Sequence, residues 1–455
     1  IVPIKRGSTD MVSALEQKNL FLNKCRQIAP DAVALCDLEG VLPEGILYDA
    51  DQLDAVREYL LEQKADALFM PHCDFGNEEV VGRLGAMMKL PVLVWGNRDP
   101  LPMPGMRDRD SQCGTLASTK CLQRYRVPFS YIINSDVDGE MFQKGFIDFC
   151  SVAAVVKKAR GMRILSVGSR PQPFLSVIYN EDELLRNFGI EVTPYTSPIL
   201  AKDVQKILET RTEEVEAGVK EYAAKVDVSA MPIDKQRAQQ ALKLALIDKV
   251  KASKSDGVAL ECWTVLGQAI GVGGCQVIGM LADLGIPCAC ESDVLGAVSA
   301  VMLQAATLGR ERFFFADITV RNADDKNAEL LWHCGPFPVS LAHPGSKPAI
   351  AEGGQGQFEL RNGDVTICRM DALEGKYTLM SGQGKAVDGP AKGGTYVWVK
   401  VSDWEKWEEK LVFGPYIHHV AGAFGSYSQI LSEACKYLGA VEPDPMDPVS
   451  RVLGK

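Results

Sequence analysis

Two segments of the chain place carboxylates directly after short apolar runs. Glu261 follows the run in "DGVALECW", and Glu291 and Asp293 follow the run in "GIPCACESD". Towards the C-terminus, "GPYIHHVAG" carries the adjacent histidines His418 and His419 between glycines. A carboxylate taken out of water costs several kcal/mol unless a cation, a hydrogen-bond donor or a proton compensates it. These residues therefore predict a compensated polar site.

The spacing of Glu261 and Asp293 fits one strand–helix–strand crossover, since they lie roughly 30 residues apart. Carboxyl ends of neighbouring parallel strands share one edge of a sheet, so the two side chains are expected close enough to share a cation. A mixed carboxylate and imidazole site favours Mn²⁺, Mg²⁺ or a related ion over structural zinc. In the alternative, both acids only cap helices. Spacing also does not decide between Glu291 and Asp293 as the residue that faces the cation, because strand residues two apart share a face.

Composition restricts the classes of protein that remain. The chain has 455 residues, 46% of them hydrophobic and 24% charged, which indicates a folded protein of about two to four domains. A net charge of -10 disfavours nucleic acid as a partner. The first residues lack an export-signal pattern, and no apolar run reaches the length of a membrane span. We therefore expect a cytoplasmic protein without a membrane partner.

The 13 cysteines are scattered through the chain rather than arranged in motifs. Several, such as Cys288 and Cys290, lie inside apolar runs, and none forms a paired Cys-x-x-Cys cluster of the kind structural zinc sites use. The expected state is free core thiols in a reducing compartment.

Hydrophobic periodicity predicts the elements that must position these residues. In the first part, short apolar runs alternate with amphipathic stretches, which is typical of a parallel sheet with crossover helices. The predicted strands are 32–38, 65–73 and 91–97, and the predicted helices are 49–64 and 77–90. A second series of strands and helices begins near 163, and from about 312 short β-like runs separated by turn residues predict an antiparallel barrel-like or sandwich-like part. We therefore expect three domains, 1–160, 161–310 and 311–455.

Several segments together resemble a known family. "ALECWTVLGQ", "IPCACESDVLGAVSA", "FFADIT", "LWHCGPF" and "GPYIHHVAG" are similar to segments of the L-fucose isomerase and L-arabinose isomerase superfamily, in its shorter fucose isomerase-like branch. "MPHCDFGNEEVVGRL", "RDSQCG" and "SVGSRPQPF" extend the resemblance over most of the chain. The order of the segments makes the resemblance fairly specific.

The resemblance implies a fold, an activity and a ligand set. The implied fold class is α/β, with two Rossmann-like parallel-sheet domains followed by a β-rich barrel-like C-terminal domain, in a homo-oligomer that is a hexamer or a trimer. The implied activity is Mn²⁺-dependent interconversion of an aldose and a ketose, with Mg²⁺ or Co²⁺ as possible replacements. The implied metal ligands are Glu261, Asp293 and one histidine of the pair, His419 in preference to His418, which is otherwise a substrate contact. Glu291 stays open, either as the ligand in place of Asp293 or as a substrate contact.

The chemistry of that reaction assigns roles to the site. Moving a carbonyl from C1 to C2 requires removal of a C–H proton and stabilisation of the resulting ene-diolate, which a divalent ion chelated by both sugar oxygens supplies. Glu261 or Asp293 then transfers the proton. The main alternative is a non-catalytic sugar-binding or regulatory protein that retains the isomerase fold.

Four further residues are candidate contacts of a monosaccharide substrate. His333, at a predicted strand end, either donates a hydrogen bond to a sugar hydroxyl or is a satisfied core histidine. Trp263 offers an aromatic face to the sugar, although packing is the default role of a tryptophan. By resemblance to related oligomers, Arg109 and Ser111 reach the site of a neighbouring subunit.

Overall fold

The computed structural model describes residues 1–100, 109–262 and 265–448. They form two compact units, with the boundary between Lys157 and Lys158. The finer predicted boundary near residue 310 lies inside the second unit and stays a prediction. Among the described residues, none of the helices combines the length and the apolar character needed to span a membrane.

The N-terminal unit is a parallel α/β layer. Its three strands pair in the order β1-β2-β3, and every pair is parallel. Strands and helices alternate along the chain: α1 Met11–Ile28, α2 Leu53–Glu62, β1 Leu68–His72, α3 Glu78–Met88, β2 Val92–Gly96, α4 Ser111–Arg124, β3 Ser130–Tyr131 and α5 Glu140–Ala159. The predicted parallel sheet is confirmed. The predicted strand at 32–38 is wrong, because this run lies half-exposed in irregular chain without a pairing strand.

Local chemistry explains why α3 begins and ends where it does. The side chain of Asn77 accepts a hydrogen bond from the backbone N–H of Glu79, and acidic residues in the first turn complement the helix dipole. The buried face carries Val80, Leu84 and Met88, spaced at one helical turn. This face packs against β1 and β2 in the core of the unit.

The second unit begins with another parallel sheet, in the order β5-β4-β6-β7. Its elements are β4 Arg163–Val167, α6 Glu181–Phe188, β5 Glu191–Tyr195, α7 Ser197–Thr210, α8 Thr212–Ala223, α9 Ile233–Ser253, β6 Gly257–Leu260, α10 Leu266–Ile270, α11 Cys275–Asp283, β7 Cys288–Cys290 and α12 Val294–Ala306. Leu260 pairs with Cys290, so β6 and β7 end level with each other. The predicted second parallel sheet is confirmed, and Glu261 and Glu291 come directly after β6 and β7.

A closed antiparallel barrel follows in the same unit. Its ring order is β14-β9-β8-β15-β12-β13, and pairing between β13 and β14 closes it. The elements are β8 Phe313–Arg321, β9 Ala328–His333, β10 Ala349–Ile350, β11 Gly356–Glu359, β12 Gly363–Leu373, β13 Lys376–Val387, β14 Thr395–Lys400, α13 Trp404–Phe413, β15 His419–Phe424, α14 Ser428–Leu438 and β16 Val441–Pro445. The sequence left a barrel or a sandwich open, and the structure is a barrel with β10, β11 and β16 as additional strands.

The long hairpin of β12 and β13 contributes most to the barrel wall. The two-residue turn between them consists of Glu374 and Gly375, both with positive φ (52° and 77°). Such a turn matches the right-handed twist of the flanking strands. The hairpin therefore continues in register for its whole length.

Helix α12 joins the parallel sheet to the barrel. It is apolar all round and buried, as expected for a helix covered on every side. It contacts β6 and β7 on one side and β12 and β15 on the other. Residues at the start of α12 therefore lie between the strand ends and the barrel wall.

Candidate active site

The carboxylates at the strand ends meet histidines of the barrel. Glu261 follows β6 and Glu291 follows β7, and both strands end at the same edge. On the barrel side, His419 begins β15 and pairs across the sheet with Asp317 of β8. His333 ends the neighbouring strand β9. The structure thus brings together residues that lie far apart in the chain.

A left-handed turn separates Glu291 from Asp293. Glu291 and Ser292 have φ values of 61° and 56°, a conformation that costs a non-glycine residue of order 1–3 kcal/mol. The turn is held by the Ser292 N–H, which donates to the Leu260 carbonyl at 3.1 Å, and by the Asp293 N–H, which donates to the Cys290 carbonyl at 3.1 Å. The strand therefore ends at Cys290, and the alternation that placed Glu291 and Asp293 on one strand face does not apply.

Asp293 is buried, and protein groups engage both of its carboxylate oxygens. Oδ1 accepts from the Gly296 N–H at 2.8 Å, as the N-cap of α12, and from Nη2 of Arg369 at 3.2 Å. Oδ2 contacts Nη1 of Arg369 and lies 2.9 Å from Nδ1 of His419. Burial raises the pKa of Asp293, but Arg369 and His419 outweigh it and hold that pKa below its usual value. Asp293 is thus a fully bonded carboxylate that orients His419.

Arg369 is a buried charged residue of the site that the sequence did not lead us to expect. Its guanidinium is completely buried between Asp293 and Asp371, and Nε lies 2.9 Å from Oδ2 of Asp371. The signal was present in "VTICRMDAL", where Arg369 and Asp371 are the only charged residues between apolar neighbours and share a strand face. A charged pair in such a setting predicts a buried partner.

His419 stands at the centre of the cluster. With Nδ1 turned to Asp293, its Nε2 lies 3.0 Å from Oε2 of Glu291 and 3.6 Å from Oδ1 of Asp317. Burial lowers the pKa of His419, but the three carboxylates outweigh it and raise that pKa to about 9. The surplus of carboxylates means that a cation, here a proton, is strongly favoured at Nε2.

Asp317 is the second site residue that the sequence did not lead us to expect, although it lies in "FFADIT", one of the segments that carry the family resemblance. Besides the contact with His419, its Oδ1 lies 3.8 Å from Nε2 of His333 and 4.0 Å from Nε2 of His418. This oxygen is buried and has no hydrogen-bond partner among the described residues. The ligand atoms of Asp317, His418 and His419 lie within 4.8 Å of one another. A buried carboxylate oxygen facing imidazole nitrogens fits a divalent cation of the manganese type.

The other two histidines of the cluster differ in hydrogen bonding and exposure. Nδ1 of His333 accepts a hydrogen bond from the Cys334 N–H at 2.9 Å, so the neutral ring carries its proton on Nε2, towards Asp317. This favours His333 as a hydrogen-bond donor. His418 is half-exposed, and burial together with the charge of His419 lowers its pKa. His418 therefore offers a neutral imidazole on the solvent side of the cluster.

Glu261 is buried beside this cluster. Its Oε1 accepts a hydrogen bond from the Val265 N–H at 2.8 Å, next to the start of α10. Its backbone N–H donates to the Val167 carbonyl at 2.9 Å, which fixes it at the edge of the sheet. Glu261 is thus held at the strand end where the sequence predicted it.

Two of the predicted substrate contacts are placed in the N-terminal unit, and a third is not described. Trp263 falls outside the described residues. Arg109 and Ser111 belong to the N-terminal unit, where Nε of Arg109 donates to Oδ1 of Asp99 at 3.2 Å and the Ser111 N–H donates to Oδ2 at 2.9 Å. Their role at the site of a neighbouring subunit stays a prediction.

The fold and site together define a parallel-sheet protein whose acidic strand ends face the histidines of a β-barrel. Residues 1–160 match the family model described as "Fucose/sulfoquinovose isomerase, N-terminal domain". The comparisons therefore confirm the resemblance to the fucose isomerase-like branch and support an aldose–ketose sugar isomerase.

Curated relatives extend this similarity beyond the N-terminal domain. The chain is 25% identical over 355 residues to the sulfoquinovose isomerase of Priestia aryabhattai, covering 76% of this chain and 78% of the relative. It is 26% identical over 359 residues to that of Alkalicoccus urumqiensis, covering 77% and 79%. It is also 26% identical over 361 residues to that of Clostridium sp. strain MSTE9, covering 77% and 78%.

One solved structure of a sugar-bound protein aligns only weakly with this chain. An ABC transporter solute-binding protein of Agrobacterium vitis with bound D-fucose aligns with 68% of this chain and 87% of its own, at 14% identity and a TM-score of 0.13. That score is too low to bear on fold or function.

Proposed function

We propose that this protein catalyses a metal-dependent aldose–ketose isomerisation through an ene-diol. The observation that carries the proposal is the convergence of Glu291, Asp317 and Nε2 of His419, with Glu261 at the neighbouring strand end. The relatives named sulfoquinovose isomerases support the reaction class. They also make a sugar with a sulfonate at C6 the first substrate to try.

The proposed ion is Mn²⁺, with Mg²⁺ or Co²⁺ as alternatives. Nε2 of His419 and the carboxylates of Glu291 and Asp317 would hold it, together with Glu261. When bound, a divalent ion stabilises the negative charge that develops on the sugar oxygens. Asp293, expected from the sequence as a ligand, is proposed instead to orient His419, because protein donors engage both of its oxygens.

The proton transfer is assigned to Glu261. Of the two candidates, Asp293 is tied to Arg369, to His419 and to the start of α12, and its pKa is held low, so it is a poor base. Glu261 would remove the proton from one carbon and return it to the next. His333 and His418 would donate hydrogen bonds to sugar hydroxyls, and Trp263 would cover an apolar face of the sugar.

Two variants distinguish a carboxylate that binds the metal from a carboxylate that only orients a metal ligand. Glu291→Gln is expected to weaken Mn²⁺ binding more than Asp293→Asn, because the loss of a group that only orients a ligand typically costs about 10–100-fold in metal affinity. Titration of Mn²⁺ followed by electron paramagnetic resonance measures both. A larger loss of Mn²⁺ affinity in Asp293→Asn than in Glu291→Gln would show that Asp293 is the ligand.

Reaction in D₂O tests the chemical route. If a carboxylate carries the proton between C1 and C2, exchange with solvent should place deuterium on the carbon next to the carbonyl of the product. Proton NMR of the recovered sugar measures the loss of signal at that carbon. A product without deuterium after many turnovers would favour hydride transfer and count against the ene-diol route.

A substrate screen tests the function itself. The purified chain with Mn²⁺ is incubated with sulfoquinovose, with 6-deoxy aldoses such as L-fucose, and with unmodified aldoses, and ketose formation is followed by NMR. Turnover of sulfoquinovose supports the sulfonate assignment, and turnover of only the other sugars moves the proposal to them. Saturable sugar binding without turnover would favour the non-catalytic sugar-binding or regulatory protein.

The assembly is proposed to be a homo-oligomer, either a hexamer or a trimer. Arg109 and Ser111 would then act at the site of a neighbouring subunit. Light scattering gives the subunit number of the native chain. A chain that is monomeric and still turns over sugar would contradict both the proposed homo-oligomer and the proposed role of Arg109 and Ser111.

A further inference from the structure

Two cysteines from neighbouring strand ends meet directly beside the candidate active site. Cys262 comes two residues after the end of β6, and Cys290 is the last residue of β7. Both are buried free thiols, and they lie 28 residues apart in the chain. The sequence predicted only scattered core thiols, so folding alone brings these two together. They are called here the Cys262–Cys290 pair.

The sulfur atoms of the Cys262–Cys290 pair lie closer together than ordinary packing requires. Their Sγ atoms are 2.8 Å apart. Non-bonded carbon atoms, which are smaller than sulfur, rest at roughly 3.5–4.0 Å from each other, whereas the sulfurs of a disulfide lie about 2.05 Å apart. The two sulfurs therefore have to approach by only about 0.8 Å to form a bond.

The pair adjoins both carboxylates that follow the strands. Cys262 directly follows Glu261, and Cys290 directly precedes Glu291. The ligand atoms of Cys262, Cys290 and Glu291 lie within 4.8 Å of one another. The Glu291 side chain is 13% exposed, and the His418 side chain is half-exposed. A site that admits a sugar to these residues also admits a small oxidant to the pair.

We propose that the Cys262–Cys290 pair is a reversible oxidation site, which a hydroperoxide converts to a disulfide and which thereby switches off the proposed metal site. One thiol attacks the O–O bond of the peroxide, which releases an alcohol or water and leaves a sulfenic acid on that cysteine. The other thiol attacks this sulfur, forms the S–S bond and releases water, so the two thiols supply the two electrons that reduce the peroxide. A dithiol reductant restores both thiols by exchange.

The switching effect rests on the proposed function, because the disulfide acts through Glu261 and Glu291. Bond formation shifts the chain segments that carry both carboxylates. Glu261 is held on its other side by the hydrogen bond from its backbone N–H to the Val167 carbonyl, so it cannot follow freely. Misplacement of a reacting group by about 1 Å can lower turnover about 10²-fold. We expect a loss of that order in turnover, together with weaker Mn²⁺ binding.

Oxidation of the full, folded chain tests the proposal. The unaltered protein is treated with hydrogen peroxide, the excess is removed, and digestion without reductant followed by mass spectrometry maps the disulfides. A cross-link between Cys262 and Cys290 is expected, with turnover about 10²-fold lower and recovery on adding dithiothreitol. The proposal is overturned if both cysteines stay thiols, if only Cys275 and Cys334, whose sulfurs lie 3.3 Å apart, become linked, or if turnover is unchanged once the cross-link forms.

Variants separate the pair from the other thiols of the chain. Cys262→Ser and Cys290→Ser should each remove the cross-link. Cys288→Ser is the matched control and should cross-link like the unaltered protein, since Cys288 is equally buried on β7 but its sulfur lies 3.9 Å from the Ala289 carbonyl oxygen. Mapping needs no turnover, so a cross-link in a chain that isomerises no sugar would count against the proposed function and not against the oxidation site.

Discussion

Glu261→Gln is expected to lower aldose–ketose turnover by about 10²–10⁴-fold, the usual contribution of a positioned acid–base group. The amide keeps the shape of the side chain and can still accept the hydrogen bond that Val265 donates to Oε1. The fold should therefore survive, while proton transfer between C1 and C2 loses its base. Turnover is measured by NMR at saturating Mn²⁺, and circular dichroism checks the fold.

The matched control for this variant is Glu329→Gln. Glu329 is also a buried glutamate of the second unit, but it lies at the other end of β9 from His333. Burial, with the nearby charge of Glu408, raises its pKa to about 7. Glu329→Gln should leave turnover unchanged. If Glu261→Gln also turns over at the original rate, Glu261 is not the base, and the proposed mechanism is wrong.

Arg369→Met is expected to destabilise the protein by about 3–5 kcal/mol, because removing one partner of a buried ion pair leaves an uncompensated charge. Here Asp293 and Asp371 would both remain as buried carboxylates without their shared cation. Asp293 would also lose the hydrogen bonds from Arg369 that hold it in position beside His419. Urea denaturation followed by fluorescence measures the change, and turnover should fall with it.

Arg186→Met provides the comparison for this effect. Arg186 pairs with Asp182 on the surface of α6, with both side chains about 70% exposed. An exposed pair of this kind contributes about 0–1 kcal/mol. Equal stability of Arg369→Met and Arg186→Met would show that the buried pair has no special role. Arg369→Lys retains the charge without the two-pronged geometry and should fall between them.

Much of the fold could be predicted from local pattern. Alternating apolar runs and amphipathic stretches gave the parallel sheets, because strand and helix periodicity are properties of neighbouring residues. The predicted strand at 32–38 is wrong, because an apolar run becomes a strand only where another strand pairs with it. Closure of the barrel was likewise undecided, because it depends on pairing between β13 and β14.

The candidate site was predictable in part for a similar reason. Glu261 and Glu291 could be placed because parallel strands bring their carboxyl ends to one edge. The choice between Glu291 and Asp293 could not be made, because it depends on the left-handed turn after Cys290. Arg369 lies on the barrel hairpin, and only its packing against the start of α12 reveals its partner.

The sequence by itself determined most of the element types, the acidic strand ends and the histidine pair, since these depend on residues close together in the chain. Only the tertiary structure decided which oxygen of which carboxylate faces which imidazole nitrogen. It also decided that Asp317 joins the histidines and that cysteines far apart in the chain, such as Cys262 and Cys290, come into contact. Side chains on elements far apart in the chain become partners through packing, and packing leaves no trace in local spacing.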